Sequence, residues 1–289
     1  MSVQVEGFYH EDTSTLSYVV FDAVSAEAAV IDPVMDFDYA SGHSHFESAD
    51  SLIAFLANKK LQLKWILETH AHADHLSAAQ YIKQHCGGKI AIGQGIVQVQ
   101  KTFADIYHLG KTLNTDGSDF DHLFNEGDTF TLGEFSGRVI ATPGHTNDSL
   151  TYLIEGNAFV GDSLFMPDAG TARCDFPGGS AEVLYQSVQK LYQLPDDTRL
   201  YVSHDYQPDD RELRFVATVA EHKQSNIHIS ANTAVSEFSQ KRQTRDATLD
   251  MPRLIIPSIQ VNIRAGRFPE PEQNGVSYLK LPINYFGQK

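Results

Sequence analysis

Between Thr69 and His75 the chain reads Thr-His-Ala-His-Ala-Asp-His, so that His70, His72, Asp74 and His75 place four imidazole or carboxylate side chains in six residues. Such a stretch buries little apolar surface, so core packing does not account for it. Neutral imidazoles and carboxylates are the donors that zinc and iron favour. Leu63 to Leu67, just before the run, is a short apolar segment that predicts a buried strand. After it, Leu76, Ala79, Tyr81 and Ile82 fall near helical spacing, and Gly87-Gly88 supplies a stop. A strand, a ligand-bearing loop and a helix follow one another.

Three later places repeat the pattern of an apolar run followed by a ligand-type residue. Arg138 to Thr142 leads to Pro143-Gly144-His145, a hairpin of Leu150 to Ile154 and Ala158 to Val160 leads to Gly161-Asp162, and Arg199 to Val202 leads to Ser203-His204. One histidine beyond one strand end is ordinary. Four such ends gathered on one edge of a sheet make a site from distant sequence, because binding residues collect on loops held by rigid elements.

The other segments predict a large α/β domain. Leu16 to Asp22 and Ala28 to Ile31 read as a hairpin, Asp32-Pro33 breaks it, and a surface loop runs to about Asp50. A helix is expected from Ala49 to Lys59, a strand over Lys89 to Ile92, weak helix around Val97 to Ile106, and helices over Ala181 to Leu194, Asp209 to Gln224 and Thr233 to Arg245. Met251 to Lys289 is punctuated by proline. This order suggests stacked sheets with helices outside, a single domain over residues 1–289 whose part 209–289 is a helical and irregular C-terminal extension.

Composition narrows the partners. The formal charge of −15 repels phosphate backbones and anionic membranes, so neither nucleic acid nor membrane is expected as a partner. An anionic small substrate needs a local basic patch. Two distant cysteines, Cys86 and Cys174, give no disulfide framework, and no export signal or membrane-spanning run is apparent, so a cytoplasmic location is expected. His43 and His45 are read as solvated loop residues.

The His-x-His-x-Asp-His run with the later His145, Asp162 and His204 resembles the metallo-β-lactamase superfamily, over Leu16 to about Tyr206. The resemblance implies an αββα sandwich. In dinuclear members these residues imply one metal on His70, His72 and His145, another on Asp74, His75 and His204, and Asp162 as a bridge. Finer features are similar to the persulfide dioxygenase branch: the alanines Ala71 and Ala73, Ala172-Arg173-Cys174-Asp175-Phe176, Ser203-His204-Asp205-Tyr206, and Asn262-Ile263-Arg264-Ala265-Gly266.

That branch implies one Fe(II) per chain on His70, His145 and Asp162, with His72, Asp74, His75 and His204 orienting ligands or water, or holding a second metal. It further implies oxidation of glutathione persulfide by O₂ and water to sulfite and glutathione, with Arg173, Tyr206 and Arg264 as substrate-binding residues; a homodimer is allowed. The alternative is a thioester hydrolase of the glyoxalase II type with two metals, zinc included, and a third reading is a non-catalytic metal-dependent sensor. Two departures, Asn147-Asp148-Ser149 after His145 and Gly170-Thr171-Ala172 before Arg173, bear on the substrate loop, as does the polar stretch Gly110 to Phe124.

Overall fold

The computed structural model describes residues 2–286; Met1 and residues 287–289, parts of the expected domain and extension, lie outside the described residues. Two six-stranded sheets face each other. The first runs Gln4–His10, Thr15–Phe21, Glu27–Ile31, Gln62–Leu67, Lys89–Gly93, His122–Phe124 from edge to edge, and the second Thr129–Leu132, Phe135–Ala141, Leu150–Ile154, Asn157–Phe159, Arg199–Tyr201, Val216–Thr218.

Alternation along the strands builds three apolar layers. Leu16, Tyr18 and Val20 point between the sheets with Phe124, Tyr152, Ile154 and Phe159, while Val19 and Val30 point outward onto Leu52, Ile82, Ile96 and Ile259. On the far side, Ile140, Ala158 and Leu200 pack against Leu184, Val188 and Phe238. Period-two strands covered on both faces must bury both sets, which gives the helix-sheet-sheet-helix order. Tyr18, Phe159 and Tyr201 meet with ring centroids 5.0 to 5.5 Å apart. Each such pair contributes about 0.5 to 1.5 kcal/mol beyond area burial.

Local expectations hold where a period is clean. The Thr15–Phe21 and Glu27–Ile31 strands pair antiparallel, and the helices Glu47–Lys59, Ile96–Ile106, Ala181–Leu191 and Val235–Asp246 lie where the apolar stripes place them. Ser180 caps the third of these by accepting from the Val183 N–H.

Three segments differ from expectation. The stretch after Asp32-Pro33 is not an irregular loop: Val34–Asp38 pairs with His43–His45 and with Leu76–Ser77 in a small third sheet. Leu76 therefore belongs to a strand, and the following helix starts at Ala79. Asp209 to Gln224 is not one helix. Val216–Thr218 hydrogen bonds to Arg199–Tyr201 as the edge of the second sheet, and the helix begins at Val219 behind a Thr218–Glu221 capping box. Val34–Asp38 and His43–His45 form a short-range hairpin, while the pairings of Leu76–Ser77 and of Val216–Thr218 span many residues and outweigh local preference.

Candidate metal centre

All four ligand-bearing segments emerge at strand ends on one edge of the stacked sheets. His70 follows Gln62–Leu67, His145 follows Phe135–Ala141, Asp162 lies in the turn Gly161–Ser163 after Asn157–Phe159, and His204 follows Arg199–Tyr201. All four are buried.

The Asp162 carboxylate stands at the middle. Its Oδ2 is 3.5 Å from His145 Nε2 and 3.9 Å from His70 Nε2, and its Oδ1 is 3.4 Å from His204 Nε2. Asp74 Oδ2 in turn lies 3.3 Å from His204 Nε2 and 2.9 Å from His75 Nδ1. Two ligand sets therefore share Asp162: His70, His145 and Asp162 on one side, Asp74, Asp162 and His204 on the other.

Hydrogen bonds behind the rings fix which nitrogen faces inward. Thr69 Oγ1 donates to Asp32 Oδ2 at 2.8 Å, so its lone pair accepts from His70 Nδ1 at 3.0 Å. His145 Nδ1 donates to the Arg173 carbonyl at 2.7 Å. His204 Nδ1 lies 3.3 Å from the Ser14 carbonyl. Each ring spends its proton outward and turns a bare Nε2 toward carboxylate oxygens. His70 Nε2, His204 Nε2 and Asp162 Oδ1 are buried without a hydrogen-bond partner. Facing lone pairs in a buried site repel unless a cation joins them, so the donor set fits a metal ion.

His72 is turned elsewhere. Its Nε2 lies 3.0 Å from Asp32 Oδ1 and 3.6 Å from Glu68 Oε2. Burial opposes charge on this ring, but the Asp32, Asp74 and Glu68 carboxylates outweigh it and raise its pKa to about 10. Glu68 is pushed up to about 8, chiefly by burial, while its Oε1 accepts from Ser77 Oγ. His75 is lowered to about 4, by burial and the neighbouring His72. His72 also stands with Asp74 and His75 in one possible donor group and with Asp32 and Glu68 in another, whereas among the described residues His70, His72 and His145 are not gathered into a single group, nor are Asp74, His75 and His204.

Three residues to which the sequence reading gave no role at the centre, Asp32, Asp148 and Asn262, hold the ligand loop. Asp32 accepts from the Thr69 N–H at 2.7 Å and from Ser203 Oγ at 3.1 Å, tying strand ends of both sheets to one carboxylate at a backbone φ of 48° that aspartate tolerates. Asp148 Oδ2 accepts from the Ala71 N–H at 2.8 Å. Asn262 donates to the His72 and His75 carbonyls, both at 2.8 Å, and accepts from the Ser77 N–H at 2.8 Å. In the sequence, Asp32 reads as a strand breaker and Asn262 as the neighbour of Arg264; a buried polar residue just beyond an apolar run was the only available signal.

A cavity of about 590 Å³ opens from the centre, lined near the ligands by Ala73, Phe165, Phe176 and Tyr206. Arg173 borders it, but its guanidinium is bound bidentately to Asp175, at 2.6 and 2.7 Å, and donates to the Asp250 carbonyl while covering the Phe176 ring. Tyr206 stacks on His204 with centroids 5.7 Å apart. Arg264 is not on the cavity wall: it is buried and donates to the Gln260 carbonyl, because the turn ending the helix Ile255–Asn262 folds it back along that helix. Cys174 is buried, and burial pushes its thiol up to about 12.

Residues 11–204 match the metallo-beta-lactamase superfamily. The chain belongs to this superfamily. It is 50% identical over 97% of its length to a probable metallo-hydrolase of Burkholderia pseudomallei, covering 99% of that protein, and 47% identical to glyoxylase B2 of Dictyostelium discoideum, covering 99% and 98% of the two chains. It is 28% identical to the mitochondrial persulfide dioxygenase of Homo sapiens, over 87% of this chain and 84% of that one. Among solved structures, ETHE1 from Myxococcus xanthus superposes with a TM-score of 0.73 at 27% identity, over 91% of this chain and all of the other. A superfamily fold with an intact donor set identifies a metal-dependent enzyme, and among the described residues no helix is long and apolar enough to cross a membrane.

The turn that presents His145 is sterically exacting. Gly144 has φ of 135°, and a Cβ there would stand 2.3 Å from the Leu184 backbone nitrogen. Gly144→Ala is expected to destabilise the fold by about 2 to 4 kcal/mol, since backbone cannot yield as a flexible side chain would. Denaturant unfolding of the variant checks this, and a loss below about 1 kcal/mol would contradict the packing argument.

Proposed function

We propose that this enzyme is a mononuclear iron persulfide dioxygenase that converts glutathione persulfide, O₂ and water to glutathione and sulfite. The observation that carries the reading is the convergence of two histidines and one carboxylate, His70, His145 and Asp162, while His72 faces Asp32 and Glu68. His70, His145 and Asp162 would hold iron(II) as a two-histidine, one-carboxylate set, and iron there would supply the redox chemistry that oxidation of a persulfide sulfur by O₂ requires. Zinc, with its filled d shell, offers only Lewis acidity or an activated water.

The chain's own residues prepare this step. The Arg173 carbonyl and the Asp32–Thr69 pair lock the two rings with Nε2 inward. Phe165, Phe176 and Ala73 wall the approach with apolar surface that limits water around the sulfur. Tyr206, stacked on His204, places a phenol on the same wall as a hydrogen-bond donor for the substrate. The similarity to persulfide dioxygenases over most of the chain supports the same reading.

The alternative, a dinuclear thioester hydrolase, is favoured by a separate observation: Asp74, Asp162 and His204 form a second donor set beside the first, and relatives at 47 to 50% identity carry the names glyoxylase and metallo-hydrolase. Oxygen uptake separates the two. Protein loaded anaerobically with Fe(II) is expected to consume O₂ on addition of glutathione persulfide and to release sulfite. No uptake, together with two metals per chain and cleavage of S-lactoylglutathione, would establish the hydrolase instead.

A further inference from the structure

The carbonyl that holds the His145 ring is one half of a peptide group whose other half is also engaged. His145 Nδ1 donates to the Arg173 carbonyl at 2.7 Å. The N–H of that same peptide unit belongs to Cys174, and it donates to Asp246 Oδ2 at 2.9 Å. A peptide group is planar and trans, so its N–H and C=O point in opposite directions. Fixing the N–H on Asp246 therefore aims the C=O at the imidazole. A carboxylate, a peptide and a histidine stand in series, and His145 Nε2 at the end of the series lies 3.5 Å from Asp162 Oδ2.

The carboxylate in this series is placed against the field of its own helix. Asp246 is the last residue of the helix Val235–Asp246, where the helix dipole is negative and an acidic side chain is disfavoured, and it is buried. Arg242, one turn earlier and likewise buried, pairs through Nη2 with Asp246 Oδ1, which offsets the charge and leaves Oδ2 for the Cys174 N–H. Arg242 Nη1 donates to the Thr171 carbonyl at 2.8 Å, and the Thr171 N–H donates to His228 Nδ1 at 3.0 Å. The strap from Thr171 to Cys174 is thus tied on both sides of the Arg173 carbonyl, which has little freedom to turn from His145. One hydrogen bond polarises the next along a chain, by about 10 to 30% per bond. An anion on the N–H makes the carbonyl a stronger acceptor, and a stronger acceptor behind an imidazole makes the opposite nitrogen a better metal ligand.

We propose that Asp246, with Arg242 beside it, is a positioning residue of the metal centre: through the peptide between Arg173 and Cys174 it fixes the His145 ring and strengthens Nε2 as a ligand. The helix that carries this pair contributes none of the donors. The role rests on His145 being a ligand, which both readings of the centre share, and it holds for one metal or for two. The competing account is a buried ion pair that only anchors its helix, and the two differ in what they require of metal binding.

The test reads metal binding, not turnover. Zinc affinity is measured by competition with a chelator for wild type, Asp246→Asn and Phe238→Leu. Asparagine keeps the size of the side chain but sets an amide N–H against either Arg242 or the Cys174 N–H, so one link of the series is lost. Phe238 is buried on the same helix with Leu184 and Val188 and makes none of these hydrogen bonds, so its substitution shows what loosening the helix alone does. Asp246→Asn is expected to weaken zinc about tenfold, and Phe238→Leu to leave it at the wild-type value. A second measurement needs no variant of the ion pair. The chain has two cysteines, so isotopic labelling of the cysteine amides gives two nuclear magnetic resonance signals, which Cys86→Ser assigns. One equivalent of zinc is expected to shift the Cys174 amide and leave that of Cys86 in place. An unmoved Cys174 amide, wild-type affinity in Asp246→Asn, or equal losses in Asp246→Asn and Phe238→Leu would overturn the proposal. Absence of O₂ uptake by the iron-loaded wild type would overturn the dioxygenase reading alone and leave both measurements in force.

Discussion

Asp162→Ala is expected to remove bound metal and to lower turnover about 10³-fold or more, the largest effect of any single substitution in this protein. The carboxylate is the one donor common to both ligand sets, with Oδ2 facing His70 and His145 and Oδ1 facing His204. Without it, two imidazoles remain on one side and an Asp74–His204 pair on the other, and the remaining three-residue group around Asp74, with His72 and His75, includes a ring that lies against Asp32 and Glu68. Asp74→Ala is the informative comparison. On the mononuclear reading it retains about one metal per chain and loses activity only about 10- to 100-fold, the effect expected of a residue that orients rather than ligates. Elemental analysis of both variants against wild type decides between the readings. A fall from two metals to one in Asp74→Ala would overturn the mononuclear assignment, and full metal occupancy in Asp162→Ala would overturn the site itself.

The second large effect is expected far along the chain, at Asn262. Its side chain closes three hydrogen bonds to the loop that carries His72 and His75, all of them buried. Asn262→Ala strands two carbonyls and one N–H in the interior, and each unpaired buried group costs about 1 to 3 kcal/mol. Part of that cost falls on the folded state as a whole and part on the loop. Metal affinity is therefore expected to fall about 10- to 100-fold along with stability. Asn262→Asp should not rescue it, because a carboxylate keeps an acceptor for Ser77 but offers nothing to donate to the His72 and His75 carbonyls. Metal titration with a competing chelator, beside denaturant unfolding, checks both parts. Unaltered metal affinity in a destabilised variant would mean that Asn262 only fastens its helix to the domain.

The legible parts of this sequence were those with a short period or a local motif. The Thr15–Phe21 hairpin strand alternates, the Ala181–Leu191 helix carries its stripe at Leu184, Val188 and Leu191, and both were found in place. Val216–Thr218 was misplaced because its preference for a strand depends on a neighbour at Arg199–Tyr201, and nothing within a window of helical length contains that neighbour. Arg264 lies off the cavity wall for a related reason. A motif fixes its position after Asn262, but which way the guanidinium turns depends on the helix end and on Gln260.

What the sequence by itself determined is the supply of donors: His70, His72, Asp74, His75, His145, Asp162 and His204 stand just beyond apolar runs, and strands held in a sandwich bring such ends to one edge. What only the tertiary structure decided is which of these donors face one another. Asp32 is distant in sequence from both His72 and Ser203, yet it lies 3.0 Å from His72 Nε2 and fixes Thr69 behind His70. Ligand residue type is a property of each side chain. Ligand choice depends on which nitrogen of each ring is already spent on a hydrogen bond, and those partners come from parts of the chain that meet only when both sheets are folded.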